Sequence, residues 1–175
     1  DKSRFINNVK VTLNDNTHII GDNLIQIDSI SNITQNCQIQ LLNLKDSIII
    51  NGDEVEVNNK TSDLVMSNNI TIFGKDIEGE CQLINFTFDK NEIQMHIDPV
   101  IWFNNTQLTG DTIYIYKKNN QLDSIYVPKN AFIISPLDSL KYYNQISGRF
   151  LEGKFSNNNL EFCIIKGNSK MKYFD

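Results

Sequence analysis

The sequence predicts an all-β fold of repeated short antiparallel strands whose sheet curves into a trough, and three observations carry this. Apolar residues recur at alternate positions from end to end, separated by Asn, Asp and Gly turns. No stretch holds helical period for three turns; the nearest candidate, LDSLKYYNQI at 137 to 146, reads as a loop with a turn of helix. A glycine preceded two positions earlier by Ile or Leu returns five times, as an internal repeat does.

The repeats are IIG at 19 to 21, ING at 50 to 52, IEG at 77 to 79, LTG at 108 to 110 and ISG at 146 to 148, with glycines 31, 27, 31 and 38 residues apart. An acid follows in four of them (Asp22, Asp53, Glu80, Asp111) and Arg149 in the fifth. Alternating apolar residues come next: Leu24, Val55 and Val57, Ile84 and Phe86, Ile113 and Ile115, and Leu151. Turns then fall at NNKTSD (58 to 63), DKNE (89 to 92), KKNNQ (117 to 121) and SNNN (156 to 159). After a second strand, a third opens with Asn in NVKV (8 to 11), NITIF (69 to 73), NAFII (130 to 134) and NSKMKYF (168 to 174). Each unit is thus roughly three short strands, too few to bury its own apolar face.

The glycine has a physical reading. The Ile or Leu two before it and the apolar residue three or five after it have opposite parity, so a straight strand would put them on opposite faces. A bulge or bend there returns both to one side, and Gly tolerates the backbone angles this needs. A sheet bent at the same place in every unit becomes a curved trough or flattened barrel.

Composition narrows the function. At 175 residues the chain suits a single domain, 1 to 175, whether whole or part of a longer protein. A net charge of −5 without a basic stripe argues against nucleic acid as a partner. No run of about eighteen apolar residues is present to span a membrane as a helix. The chain opens on Asp1 without Met, as a processed exported segment would; a boundary set within a longer protein would look the same. Cys37, Cys81 and Cys163 match no metal spacing and read as small apolar strand residues, although a single pair bridging two units stays open. His18 and His96 sit in no metal or catalytic motif, and no cofactor is expected. The acids after glycine come once in about thirty residues, too sparse for a calcium ladder, and read as caps of turns or bulges. The Asn-x-Ser/Thr triplets at Asn32, Asn59, Asn69, Asn85 and Asn104 are expected by chance in so Asn-rich a chain.

The run from 105 to 174, with LTGDTIYIY, NNQLDSIYV, NAFII, YNQISGRFLEGKF and the final GNSKMKYF, resembles the OstA-like, or LptA-type, domain of Bacteroidetes envelope proteins. Residues 7 to 28 and 50 to 72 resemble the same repeat more loosely, and 29 to 47 match it poorly, which leaves the register of the second unit open. The resemblance implies an open twisted β-jellyroll in the periplasm, without enzymatic activity, in a bridge that carries lipopolysaccharide to the outer membrane. It also implies neighbouring jellyroll domains as partners, joined through end strands.

The residues fit that expectation. A trough lined from one face of every strand would shelter acyl chains, at about 25 cal/mol per Å² of apolar surface. The expected lining is Val9, Val11, Leu24, Val55, Val57, Ile70, Ile72, Ile84, Phe86, Ile113, Ile115, Ile125, Val127, Ile133 and Leu151, each equally readable as an ordinary core residue. Tyr114 and Tyr116 should face outward. The end strands, 4 to 13 and 168 to 174, lack proline and invite pairing with a like domain, head to tail, or with a further unit of the same chain; Lys170 and Lys172 deter this only mildly. Two rivals remain: a β-repeat spacer of the envelope, structural or adhesive, with a solid interior and uniform repeats, and a polysaccharide enzyme with Asp98, Asp111 and Glu152 as its carboxylates.

Overall fold

A computed structural model of the chain describes residues 2–14, 16–42, 47–119, 121–137, 142–156 and 159–174. Within them lie β1 (Lys2–Asn14), β2 (Thr17–Ile27), β3 (Ile30–Leu41), β4 (Ile48–Asn58), β5 (Leu64–Phe73), β6 (Glu78–Thr87), β7 (Glu92–His96), β8 (Val100–Phe103), β9 (Thr106–Thr109), β10 (Thr112–Lys118), β11 (Gln121–Val127), β12 (Ala131–Pro136), β13 (Tyr143–Gly148), β14 (Phe150–Ser156), β15 (Asn159–Lys166) and β16 (Lys170–Lys172). A 3₁₀ turn, Phe88–Lys90, is the only helix among the described residues. The helical turn expected within 137 to 146 would fall at 138 to 141, outside the described residues, as do position 120 of the 117 to 121 turn and positions 157 and 158 of the 156 to 159 turn.

All these strands belong to one open antiparallel sheet. In β1 to β6 the register slips once in the middle of each adjoining pair: between Ile6 and Val9, Ile20 and Asn23, Thr34 and Cys37, Asn51 and Glu54, and Ser67 and Ile70. Each strand is therefore a bent ribbon with two regular halves. Beyond β6 the halves separate. Residues 78 to 80 of β6 pair with β8, and residues 83 to 87 pair with β7. From there β7, β10, β11, β14 and β15 continue one layer, while β8, β9, β12, β13 and β16 continue the other. One meander is thus folded along its midline into two facing layers, with a crease on one side and a mouth between the hairpin turns on the other. The second unit, whose register the sequence left open, follows the same plan in β3 and β4.

Two local devices alternate along the crease. In one ribbon of each pair, residues enter the left-handed region: Asn7 and Asn8, Gln35 and Asn36, Asn68 and Asn69, Ile97 and Asp98, then Asn130, and finally Gly167 and Asn168. Asn is the non-glycine residue that accepts this conformation most readily, which is why it recurs there. In the next ribbon stands the glycine. The expectation that these glycines supply special backbone angles is corrected, because none of Gly21, Gly52, Gly79, Gly110 and Gly148 has a left-handed φ. They supply space instead: a Cβ on Gly21 would overlap Ile33, and one on Gly110 would overlap Val127.

The acid after the glycine caps its neighbour. Asn36 Nδ2 donates to Asp22 at 2.5 Å, Asn69 Nδ2 to Asp53 at 2.7 Å, and Asn130 Nδ2 to Asp111 at 2.7 Å. Two further expectations are corrected. What read as a third strand opening with Asn is the second half of a bent strand at Asn8 and Asn69, whereas Asn130 and Asn168 do precede separate strands, β12 and β16. In the third unit the bend lies at Cys81 and Gln82, two residues beyond Gly79, since Cys81 pairs with Ile70 just where the ladder slips and Gln82 N donates to Ile97 O at 3.2 Å.

The parity argument holds at the crease. Ile19 and Leu24, Ile50 and Val55, and Leu108 and Ile113 are all buried, although each pair straddles a glycine at odd spacing. Gly110→Ala must push Val127 out of place, and a loss of about 1–3 kcal/mol is expected. Asn130→Ala gives up both the left-handed preference and the Asp111 bond, with a loss of about 1–2 kcal/mol expected. Denaturant midpoints at constant m-value measure both; an unchanged midpoint for either removes the corresponding device from the crease.

Candidate functional site

The space between the two layers is the candidate site. Its walls follow from period two: in β10, Ile113 and Ile115 turn inward and Tyr114 and Tyr116 outward, where the Tyr114 ring lies 6.2 Å from that of Tyr126. Thirteen of the expected lining residues are buried: Leu24, Val55, Val57, Ile70, Ile72, Ile84, Phe86, Ile113, Ile115, Ile125, Val127, Ile133 and Leu151, none more than 6% exposed. Val9 and Val11 are only partly buried and pack against this core, because they stand on the end ribbon with nothing beyond it.

The two layers touch. Phe103, at the mouth end of β8, packs edge to face on Phe155 of β14, with ring centroids 5.1 Å apart. Leu41 of the second layer meets Phe86 and Phe88 of the first around a residual cavity of about 20 Å³, room for a water and not for an acyl chain. At these contacts, and around the buried lining residues just named, the interior is filled by its own side chains.

The ends differ. Phe5 pairs across from Leu24 and so faces inward, yet it is half exposed. At the other end Met171 pairs with Ile146, opposite Ile133, and is 64% exposed. Ile6 and Ile27 at the first end, and Phe162, Ile164 and Tyr173 at the last, are exposed as well. Neither β1 nor the β15 and β16 edge has a further strand beside it among the described residues.

Several inner residues escaped the sequence reading. Ile33 and Ile39 lie in the stretch that matched the repeat poorly, and Met66 and Met95 were passed over although the alternation marks them. Lys117, read as part of a turn, continues the inward row of Ile113 and Ile115 and lines the cavity beside Phe86 and Phe88; burial there pulls its pKa down.

The polar candidates do not converge. His18 lies 3.1 Å from Thr12 Oγ1 across a strand pair, and His96 is within hydrogen-bond distance of Gln94, Asn85 and Thr112 on the outer face. Asp111, held below the usual carboxylate range first by Asn130 and then by Lys129, is an exposed crease cap; Glu152 lies 3.8 Å from Lys166. Among the described residues no group of three or more His, Cys, Asp or Glu is placed to hold a metal ion. No helix among them is long and apolar enough to cross a membrane. No protein-family model matches the chain, and neither does any curated protein.

The thiols report on how closed the interior is. Cys37 and Cys81 are buried at the crease, and burial pushes both up to about 11. Only about one in a thousand is ionised at pH 8, so both are expected to resist thiol reagents in the native protein and to label on unfolding. Since their folded values lie above the ordinary value of 9.0, the stability tied to them is full below about pH 9 and falls as pH rises to about 11. Rapid native labelling of either at pH 8 would show that the layers part spontaneously.

Proposed function

We propose that the chain is a non-enzymatic lipid-carrying component of a periplasmic bridge, of the OstA-like kind that its motifs resemble, in a Gram-negative envelope such as that of a Bacteroidetes species. Lipopolysaccharide acyl chains enter the apolar space between the layers, and the sugar part stays outside on the way to the outer membrane. The observation that carries this reading is the apolar interior itself: it lies between two layers that no strand pairing joins at the mouth among the described residues, and it is uncovered at both ends, where Phe5 and Met171 face inward and yet meet water. Exposed apolar surface at an unpaired edge is what a stacking partner would cover, so neighbouring jellyrolls, or copies of this chain arranged head to tail, dock at β1 and at the β15 and β16 edge.

A spacer role, structural or adhesive, is the second reading, and the filled middle of the interior favours it. The two differ in whether lipid ever reaches the inner faces. A photoreactive residue placed in cells at Ile113, Ile115 or Val57 is expected to give lipopolysaccharide adducts, while Tyr114 and Glu56, on the outer faces, give none. Adducts at neither set, in folded and exported protein, leave the spacer reading in place.

A further inference from the structure

The crease carries a reversal of sign that the lipid reading does not use. At three earlier bends the residue after the glycine is an acid bonded to the amide of the facing Asn; at the last it is Arg149. Here the facing ribbon offers Gly167, left-handed at φ 81°, whose missing Cβ leaves room for the Arg149 stem. Arg149 N donates to Gly167 O at 2.7 Å, which fixes the arginine backbone.

Around it opens a cleft of about 630 Å³ on the outer face of the second layer. Its floor is the cross-strand row Phe132, Ser147 and Lys170, and its crease side is Lys129, Asn130, Arg149 and Asn168. Three cations and no carboxylate line it, in a chain with 21 acidic and 16 basic residues. Asp111 neutralises Lys129 from outside the cleft at 3.2 Å, whereas no ion pair is formed by Arg149 or Lys170 among the described residues.

We propose that this cleft binds a phosphomonoester carried on a polyhydroxylated molecule the size of a monosaccharide. An arginine fork and neighbouring ammonium groups match the charge and geometry of a phosphate dianion. The Ser147 hydroxyl and the Asn168 amide serve hydroxyl groups, and the Phe132 ring gives the apolar face of a sugar something to lie on. A long polyanion is disfavoured, because the crease beyond carries Asp53, Asp22 and Asp98. The cleft lies outside the slot, so this proposal stands whether or not lipid enters it.

Isothermal titration of the chain with glucose 6-phosphate, with glucose as the uncharged control, tests it. Vesicles of phosphatidylcholine with and without phosphatidic acid run beside it, to separate a soluble phosphate from a lipid headgroup. The expected result is saturable binding of glucose 6-phosphate and none of glucose, weakened about tenfold or more by Arg149→Ala and by Lys170→Glu, whereas binding of the phosphatidic acid vesicles alone overturns the sugar part of the proposal. Both residues are exposed, so both variants should fold, which their melting curves check. Lys75→Ala, in a separate and acidic cleft, should leave binding unchanged. Absence of binding to either probe at about 10 mM, or equal weakening by Lys75→Ala, overturns the proposal.

Discussion

The structure depends on one constraint: every ribbon must bend at the same line while both of its halves keep their apolar side chains on the inside. A pleated strand changes face at every residue, so a bend that consumed the wrong number of positions would turn half of the ribbon inside out. The chain meets this with short stretches withdrawn from each ladder, as between β2 and β3, where Gly21 and Asp22 stand against Gln35, Asn36 and Cys37 while Gly21 keeps its pairing with Val9 on the other side. Because neighbouring ribbons run in opposite directions, one carries a left-handed pair and the next a glycine with its acid. The left-handed pair turns the backbone; the glycine lets the facing side chain settle into the fold of the crease. The Asp to Asn bonds then tie the facing ribbons together, side chain to side chain, across the bend.

Much of this was legible because the bend has a sequence signature. The glycine repeat and the Asn that opens the expected third strand are the two halves of one crease, read separately since their meeting is a matter of pairing between ribbons and not of distance along the chain. Parity alone showed that a bend was needed between Leu108 and Ile113, and it placed the inward residues correctly. It could not say whether glycine was chosen for its angles or for its size, a choice that depends on where Ile33 and Val127 end up. The bend at Cys81 was missed for a related reason: a small side chain other than glycine serves there, and the nearby Gly79 drew the pattern two residues out of step.

The outer line of the crease is an electrostatic surface as well as a joint. Where an acid meets an Asn, its charge is held by a neutral amide and stays close to solvent, as with Asp53 and Asn69. Replacing the acid by Arg149 at the last bend removes that bond, and Gly167 takes the place of an amide on the facing ribbon. The same geometric job is done there by backbone alone, which frees the side chain for another use.

A filled interior is compatible with the proposed carrier role because of the nature of its contacts. Apolar groups have no directional partners to lose, so exchanging a contact between Phe103 and Phe155 for one with an acyl chain replaces like with like, and the hydrophobic contribution stays about the same per unit area. Among the described residues the hydrogen bonds that hold the sheet run along each layer and across the crease, and none of these has to break for the mouth to widen. What resists opening is the crease itself, where left-handed residues and glycines packed without spare room leave little angular freedom. The ends are less restrained than the middle, since Val9, Val11 and Phe5 on one side and Met171 on the other have no layer beyond them. In the proposed carrier an acyl chain would therefore begin at an end and advance by displacing side chains in turn, while the stiff crease keeps the two layers in register.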